Sequence, residues 1–287
     1  MSRAGIAGMR SAAGDLADVG RVLDDTEWQT PSAAAGWSVR DVISHIGCLL
    51  ELLQAAVRGE AVPDSRIEPL NDAMVAERRT WDNTRILENV QKQLEQAIAT
   101  FIPLQDEPVA SVEAPMLDLG TYPLHGIADM FTFDMTTHLR YDILTPRGPI
   151  TRQLPPWDEV RLGPSVSWLL GGIPKMQADL ASHLIAPLAL RLTGPAAPNI
   201  LISTEAGIIT VNPLRSSDKL AATLTSTTAD FLAWSTTRLP WRALVAVAGD
   251  DKVGRRGPRR HQPHLDGRRR RNMRTSSRPM RAYSSTT

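Results

Sequence analysis

The sequence has one cysteine, Cys48, among 287 residues. A single thiol excludes an internal disulfide framework and a cysteine-rich zinc site. Long apolar runs are lacking as well. No stretch reaches the roughly 18 apolar residues that span a bilayer. The longest candidates, 42–57 and 184–192, are broken by polar residues or proline. The opening Met-Ser-Arg-Ala-Gly carries no apolar core of a secretory signal, so a cytoplasmic setting without membrane contact is expected. No internal repeat is found. Net charge is nearly absent, at +1, but that balance averages two unlike parts. Residues 251–287 hold 12 of the 32 Lys and Arg and 2 of the 31 Asp and Glu, so this segment carries +10 and residues 1–250 carry −9. The segment has almost no large apolar side chains, cannot bury enough surface to offset ordering entropy, and is expected to be disordered. Its charge is the electrostatic footprint of a nucleic-acid binder. With Tyr283 as its one aromatic it offers little for base stacking, and nucleic acid is not expected as a partner.

What is present suits a globular protein: 42% hydrophobic and 22% charged residues, at a length that fits one large domain or two ordinary ones. The first half reads helical. Residues 6–24 space Ala12, Leu16, Val19 and Leu23 helically. Ser38 with Asp41 forms a capping box before the stripe Val42, Ile46, Leu49, Leu50 and Leu53. Asn83 is placed to cap a third helix with Leu87, Val90, Leu94, Ile98 and Phe101 on its stripe. Pro123 is placed in the first turn of a fourth, with Ile127, Met130, Phe131 and Tyr141. Four such helices suit an antiparallel bundle over residues 1–150. Residues 103–122 show no period and read as a long loop. Pro146, Gly148, Pro149, Pro155 and Pro156 read as a linker.

After a helix near 157–184, kinked around Gly171 to Pro174, the pattern changes. Runs at 188–193, 200–204, 208–211 and 220–225 read as strands, 228–236 as a short helix and 243–248 as another strand. Residues 151–250 are therefore expected to form a small α+β domain, making the chain an α+β multi-domain protein with 251–287 as an Arg-rich tail.

Chemistry concentrates where polar residues sit on apolar faces. Asp134 and His138 are four apart and share one face, and that face is the apolar one marked by 127, 130, 131 and 141. His45 lies inside the second helix's stripe between Val42 and Leu49. Two readings are open. The three groups form a buried polar network, or they hold a divalent metal, for which two His and one carboxylate are a usual open Zn²⁺ donor set. Asp142, four residues past His138, is placed either to orient that imidazole or to pair at the surface. His125 is expected to face outward, His183 lies near a helix end, and His261 and His264 lie in the tail. Cys48 follows His45 by three residues and reads first as a small buried hydrophobe.

The run from Thr30 to Ile46, with Gly36-Trp37-Ser38-Val39-Arg40-Asp41 and His45, resembles a signature of the mycothiol-dependent maleylpyruvate isomerase family. The spacing of Asp134, His138 and Asp142 is similar to that family's ligand helix, with Asp134 where the family usually has Glu. Leu188 to Gly194, Phe231 to Trp241 and Gly249-Asp250 resemble its C-terminal half. The resemblance implies a DinB-like four-helix metal-binding domain followed by a sterol-carrier-like α+β domain. It implies His45, Asp134 and His138 as metal ligands and Arg238 as an active-site arginine. It also implies a mycothiol-like thiol as cofactor and an electrophilic acid as substrate, with cis–trans isomerisation or transfer of the thiol as the reaction. A non-catalytic carrier of apolar ligands, with a structural helical bundle, is the alternative. A monomer is expected. The family continues past Gly-Asp with an apolar helix, whereas this chain continues with Asp251-Lys252-Val253-Gly254-Arg255-Arg256, which points to a reading-frame shift near residue 251.

Overall fold

The computed structural model describes residues 3–177 and 179–249. The tail at 251–287, its expected disorder and frame shift, and His261 and His264 lie outside the described residues. Within them the chain is α+β. Helices α1 (Ala4–Arg21), α2 (Asp25–Gln29), α3 (Val39–Val57), α4 (Ile67–Glu77) and α5 (Asn83–Phe101) come first. A short hairpin, β1 (Glu113–Pro115) with β2 (Thr121–Pro123), leads into α6 (Gly126–Thr137). Then come α7 (Glu159–Met176), α8 (Leu180–His183), β3 (Leu188–Thr193), β4 (Asn199–Glu205), β5 (Ile208–Pro213), β6 (Ala222–Thr227), α9 (Thr228–Ser235) and β7 (Ala246–Gly249). Among the described residues no helix is long and apolar enough to cross a membrane.

The four helices expected from periodicity are α1, α3, α5 and α6, which enclose the first apolar core: α3 packs on α5, and α1 on α5 and α6. Local chemistry sets their ends. Ser38 Oγ accepts from the Asp41 amide and Asp41 Oδ2 from the Ser38 amide, both at 3.1 Å, which completes the capping box of α3. The cap of α5 is Asp82, one residue before the expected Asn83, accepting from the Arg85 amide at 2.7 Å. Pro123 ends β2, and α6 starts three residues later at Gly126. Residues 103–122 are not featureless: the hairpin and three 3₁₀ turns occupy them.

Close approach of α1 to α6 depends on glycine. A Cβ on Gly8 would lie 2.6 Å from the Thr132 side chain and 2.9 Å from the Val160 carbonyl oxygen. Thr132 Oγ1 donates to the Gly5 carbonyl at 3.0 Å across the same contact.

The second core lies between a five-stranded mixed sheet, ordered β5-β4-β3-β6-β7, and helices α7 and α9. β3 and β6 run parallel and the other neighbours are antiparallel. Leu190, Leu192, Ile200 and Ile202 point into this core with Phe231 and Leu232 of α9. The two cores are tied by buried charge. Arg161 at the start of α7 grips Asp15 of α1 through Nε at 2.7 Å and Nη2 at 2.9 Å. Tyr141 reaches the second core and donates to the Ala229 carbonyl at 3.0 Å.

Residues 144–150, expected as linker, fold back as a packed turn. Leu144 and Ile150 pair and are both buried. The Gly148 amide donates to the Leu144 carbonyl at 2.8 Å.

Candidate metal centre

His45 reaches the site from α3, and Asp134 and His138 reach it from the end of α6. The apolar stripes of both helices face the first core, so polar residues on those stripes are carried inward. His45 is 2% exposed and the Asp134 and His138 side chains 17% and 14%. Asp134 stands between the imidazoles, with Oδ2 3.5 Å from His45 Nε2 and Oδ1 3.4 Å from His138 Nε2. One ligand atom from each residue lies within 4.8 Å of the other two. The rings meet edge to face, with centroids 5.3 Å apart. Trp37 forms a wall over both, its centroid 5.0 Å from His45 and 6.4 Å from His138. Its indole Nε1 donates to Asp72 at 2.9 Å.

Asp134 Oδ2 and His45 Nδ1 are buried without a hydrogen-bond partner. An unpaired buried carboxylate oxygen costs about 1–3 kcal/mol or more, because desolvation is not recovered. An ion among these three donors would satisfy the oxygen, and two imidazoles with one carboxylate match the donor set of an open Zn²⁺ site. The residues present therefore fit a divalent metal.

The charges interlock. Burial pushes the Asp134 carboxyl up, but His138 and His45 outweigh it and hold the group well below the usual carboxylate range. Burial pushes His138 down, and Asp134 and Asp142 reverse that, raising it to about 9.

His138 opens a π-helical turn, His138–Ile143, closed by the Leu144 amide on the Leu139 carbonyl at 3.0 Å. Such turns recur at functional sites. The wider turn brings Asp142 Oδ2 to 2.8 Å from His138 Nδ1, close but off the line of a hydrogen bond. Asp142 is almost fully buried. Burial raises its carboxyl, while His138 and Arg238 lower it below the normal range.

Arg238 follows α9 and arrives from the second core. Its Nε lies 3.2 Å from both Asp142 oxygens and its Nη2 2.6 Å from Oδ2, so one edge of its fork is turned to Asp142. Arg147, which sequence reasoning missed, also donates to Asp142. The signal was masked because Arg147 sits between Pro146 and Gly148 in a stretch that reads as linker.

The remaining candidates lie apart from this cluster. His125 precedes α6, with Nδ1 2.9 Å from the Ala110 carbonyl oxygen. His183 ends α8 and is exposed. Cys48 is buried, and burial pushes its thiol up to about 11, which disfavours the thiolate.

Residues 9–139, which contain His45, Asp134 and His138, match the family model described as the mycothiol maleylpyruvate isomerase N-terminal domain. Two crystal structures share the fold: the mycothiol-dependent maleylpyruvate isomerase and a histidine-to-alanine mutant of it. Each has a TM-score of 0.53 and 16% sequence identity, over 85% of this chain and 91% of that one. A search of curated proteins finds no match.

Proposed function

Because residues 9–139 match the model of the mycothiol maleylpyruvate isomerase N-terminal domain, we propose that the chain is a metal-dependent enzyme using a low-molecular-weight thiol of the mycothiol type. The observation that carries this reading is the three-donor cluster spanning two helices, with a buried Asp134 oxygen left unpaired inside it.

His45 and His138 would offer Nε2, and Asp134 a carboxylate oxygen, to Zn²⁺ or a similar ion. When bound, that ion lowers the pKa of a thiol at its open position and holds it as thiolate. Trp37 walls the imidazoles from water. Asp142, with Oδ2 2.8 Å from the far nitrogen of His138, would orient the ring. The substrate class is an electron-poor alkene flanked by carbonyl and carboxylate groups. The thiol sulfur forms a bond to one alkene carbon, the former double bond rotates as a single bond, and the same carbon–sulfur bond breaks to give the trans isomer. Retaining the carbon–sulfur bond and protonating the adjacent carbon would instead give thiol transfer.

In this reading residues 1–150 are a DinB-like four-helix metal domain and residues 151–250 a sterol-carrier-like domain that supplies Arg238. The protein is a cytoplasmic monomer, a setting that suits one reduced, buried cysteine. The test is isomerisation of maleylpyruvate with mycothiol, before and after metal removal. Activity lost on chelation and regained with Zn²⁺ supports the reading. Equal activity in a His45→Ala/His138→Ala double variant refutes it.

A further inference from the structure

Asp142 is an unusually crowded carboxylate. Its side chain is 2% exposed, yet three cationic or ionisable groups converge on it: His138 and Arg238 at Oδ2, and Arg238 Nε and Arg147 Nη1 at Oδ1. His138 and Asp142 belong to one π-helical turn, and Arg238 follows α9 in the second core. Arg147 comes from neither. It is delivered by the turn that closes directly behind the π-helix.

That turn is built tightly. The Thr145 amide donates to the Ile150 carbonyl at 2.8 Å and the Ile150 amide to the Ile143 carbonyl at 3.0 Å. Gly148 lies against the π-helix so closely that a Cβ there would sit 2.3 Å from the Ile143 carbonyl carbon, so the turn keeps this path only with glycine. Arg147 Nη1 also donates to the Tyr141 carbonyl at 3.3 Å, which anchors the guanidinium to the backbone of the turn it supports.

We infer that Arg147 is a positioning residue of the candidate metal centre: it holds Asp142 Oδ1 so that Oδ2 stays beside His138 Nδ1, at 2.8 Å, and the ring keeps Nε2 turned to the ion. A carboxylate turns about its terminal torsion, whose wells are broad. With Arg147 removed, Oδ1 keeps one contact, to Arg238 Nε at 3.2 Å, and Arg238 alone sets which oxygen faces His138. Arg147 adds a second donor to Oδ1 from a separate segment of the chain, so the carboxylate is held by two arginines and not by one. The inference rests on the metal reading above and adds to it a residue that touches neither ion nor substrate.

The experiment measures Zn²⁺ affinity of the full chain by competition with a chromophoric chelator, with thermal unfolding of each metal-free protein alongside. Arg147→Met keeps length and packing and removes the charge. It is expected to weaken Zn²⁺ binding by about tenfold, the low end of the loss seen for outer partners of metal ligands. Arg147→Lys, which keeps the charge without the fork, is expected to recover part of that loss, and it decides the matter should the Met variant fail to fold. Asp142→Asn is expected to weaken binding by about 10–100-fold. Adding Arg147→Met to it is expected to change nothing further, because the arginine acts through Asp142. Unchanged Zn²⁺ affinity in Arg147→Met with a lowered melting temperature overturns the inference, since Arg147 then only ties the turn. A further loss on top of Asp142→Asn overturns it as well. A wild-type protein that binds no Zn²⁺ defeats the metal reading itself, and the inference with it.

Discussion

Arg238 and Asp142, 96 residues apart in sequence, form a buried ion pair in which Nη2 lies 2.6 Å and Nε 3.2 Å from the carboxylate. The pair joins the second core to the π-helical turn that carries His138. Resemblance alone implies an arginine that meets substrate, whereas the geometry gives this side chain a partner inside the protein. Removing one member of such a pair leaves an uncompensated charge. Arg238→Ala should therefore destabilise the fold by about 3 kcal/mol, the low end for a broken buried pair because Arg147 remains. Zn²⁺ affinity should fall with it. Denaturant unfolding and chelator competition on the same samples check this. Normal stability and Zn²⁺ affinity with only a raised KM would return Arg238 to a purely substrate-binding role.

A second prediction concerns Asp129, which is not one of the three clustered donors. Burial pushes its carboxyl up to about 7, with His125 acting in the opposite direction. The folded state thus holds a proton that the unfolded chain releases near pH 4. The sign follows: stability is greatest below the unfolded pKa and declines as pH rises from about 4 to about 7. Asp129→Asn should flatten that decline and raise the melting temperature at pH 8 relative to wild type, with little difference at pH 4. Melting curves across this range measure it, and identical pH profiles would contradict it.

Gly8 tests the approach of α1 to α6. Alanine is favoured over glycine in a helix by roughly 1 kcal/mol. Here its Cβ would meet Thr132 at 2.6 Å and the Val160 carbonyl oxygen at 2.9 Å, and the backbone oxygen cannot rotate away. Overpacking of this kind costs about 1–3 kcal/mol. Gly8→Ala should be destabilising overall, whereas Gly14→Ala on the same helix, where nothing lies within 4 Å of the added Cβ, should be neutral or stabilising. Equal effects at the two positions would show that α1 does not pack this way.

The clustering of His45, Asp134 and His138 was legible because helical periodicity makes these residues conspicuous: they interrupt apolar stripes, and burying them calls for a partner. The α3 capping box was legible for a similar reason, being local chemistry at fixed spacing. Other features carry no such pattern. Helix α4 buries only Leu70, Asn71 and Val75, too little for a stripe. The strands of the β1–β2 hairpin have three residues each and both end in proline, too short to show alternation. Arg147 was hidden because proline and glycine around an arginine signal a break in structure and not its return to a site. The pairing of Arg238 with Asp142 is tertiary and has no trace in local sequence.

The central claim is that His45, Asp134 and His138 bind one divalent ion. Elemental analysis of the purified full chain, wild type beside His45→Ala and Asp134→Asn, tests it most directly. The account predicts close to one Zn²⁺ per wild-type chain and loss of it in both variants, with each variant still folded by circular dichroism. A folded wild-type protein that takes up no metal from Zn²⁺-containing buffer, or a His45→Ala variant that retains the full amount, would contradict it.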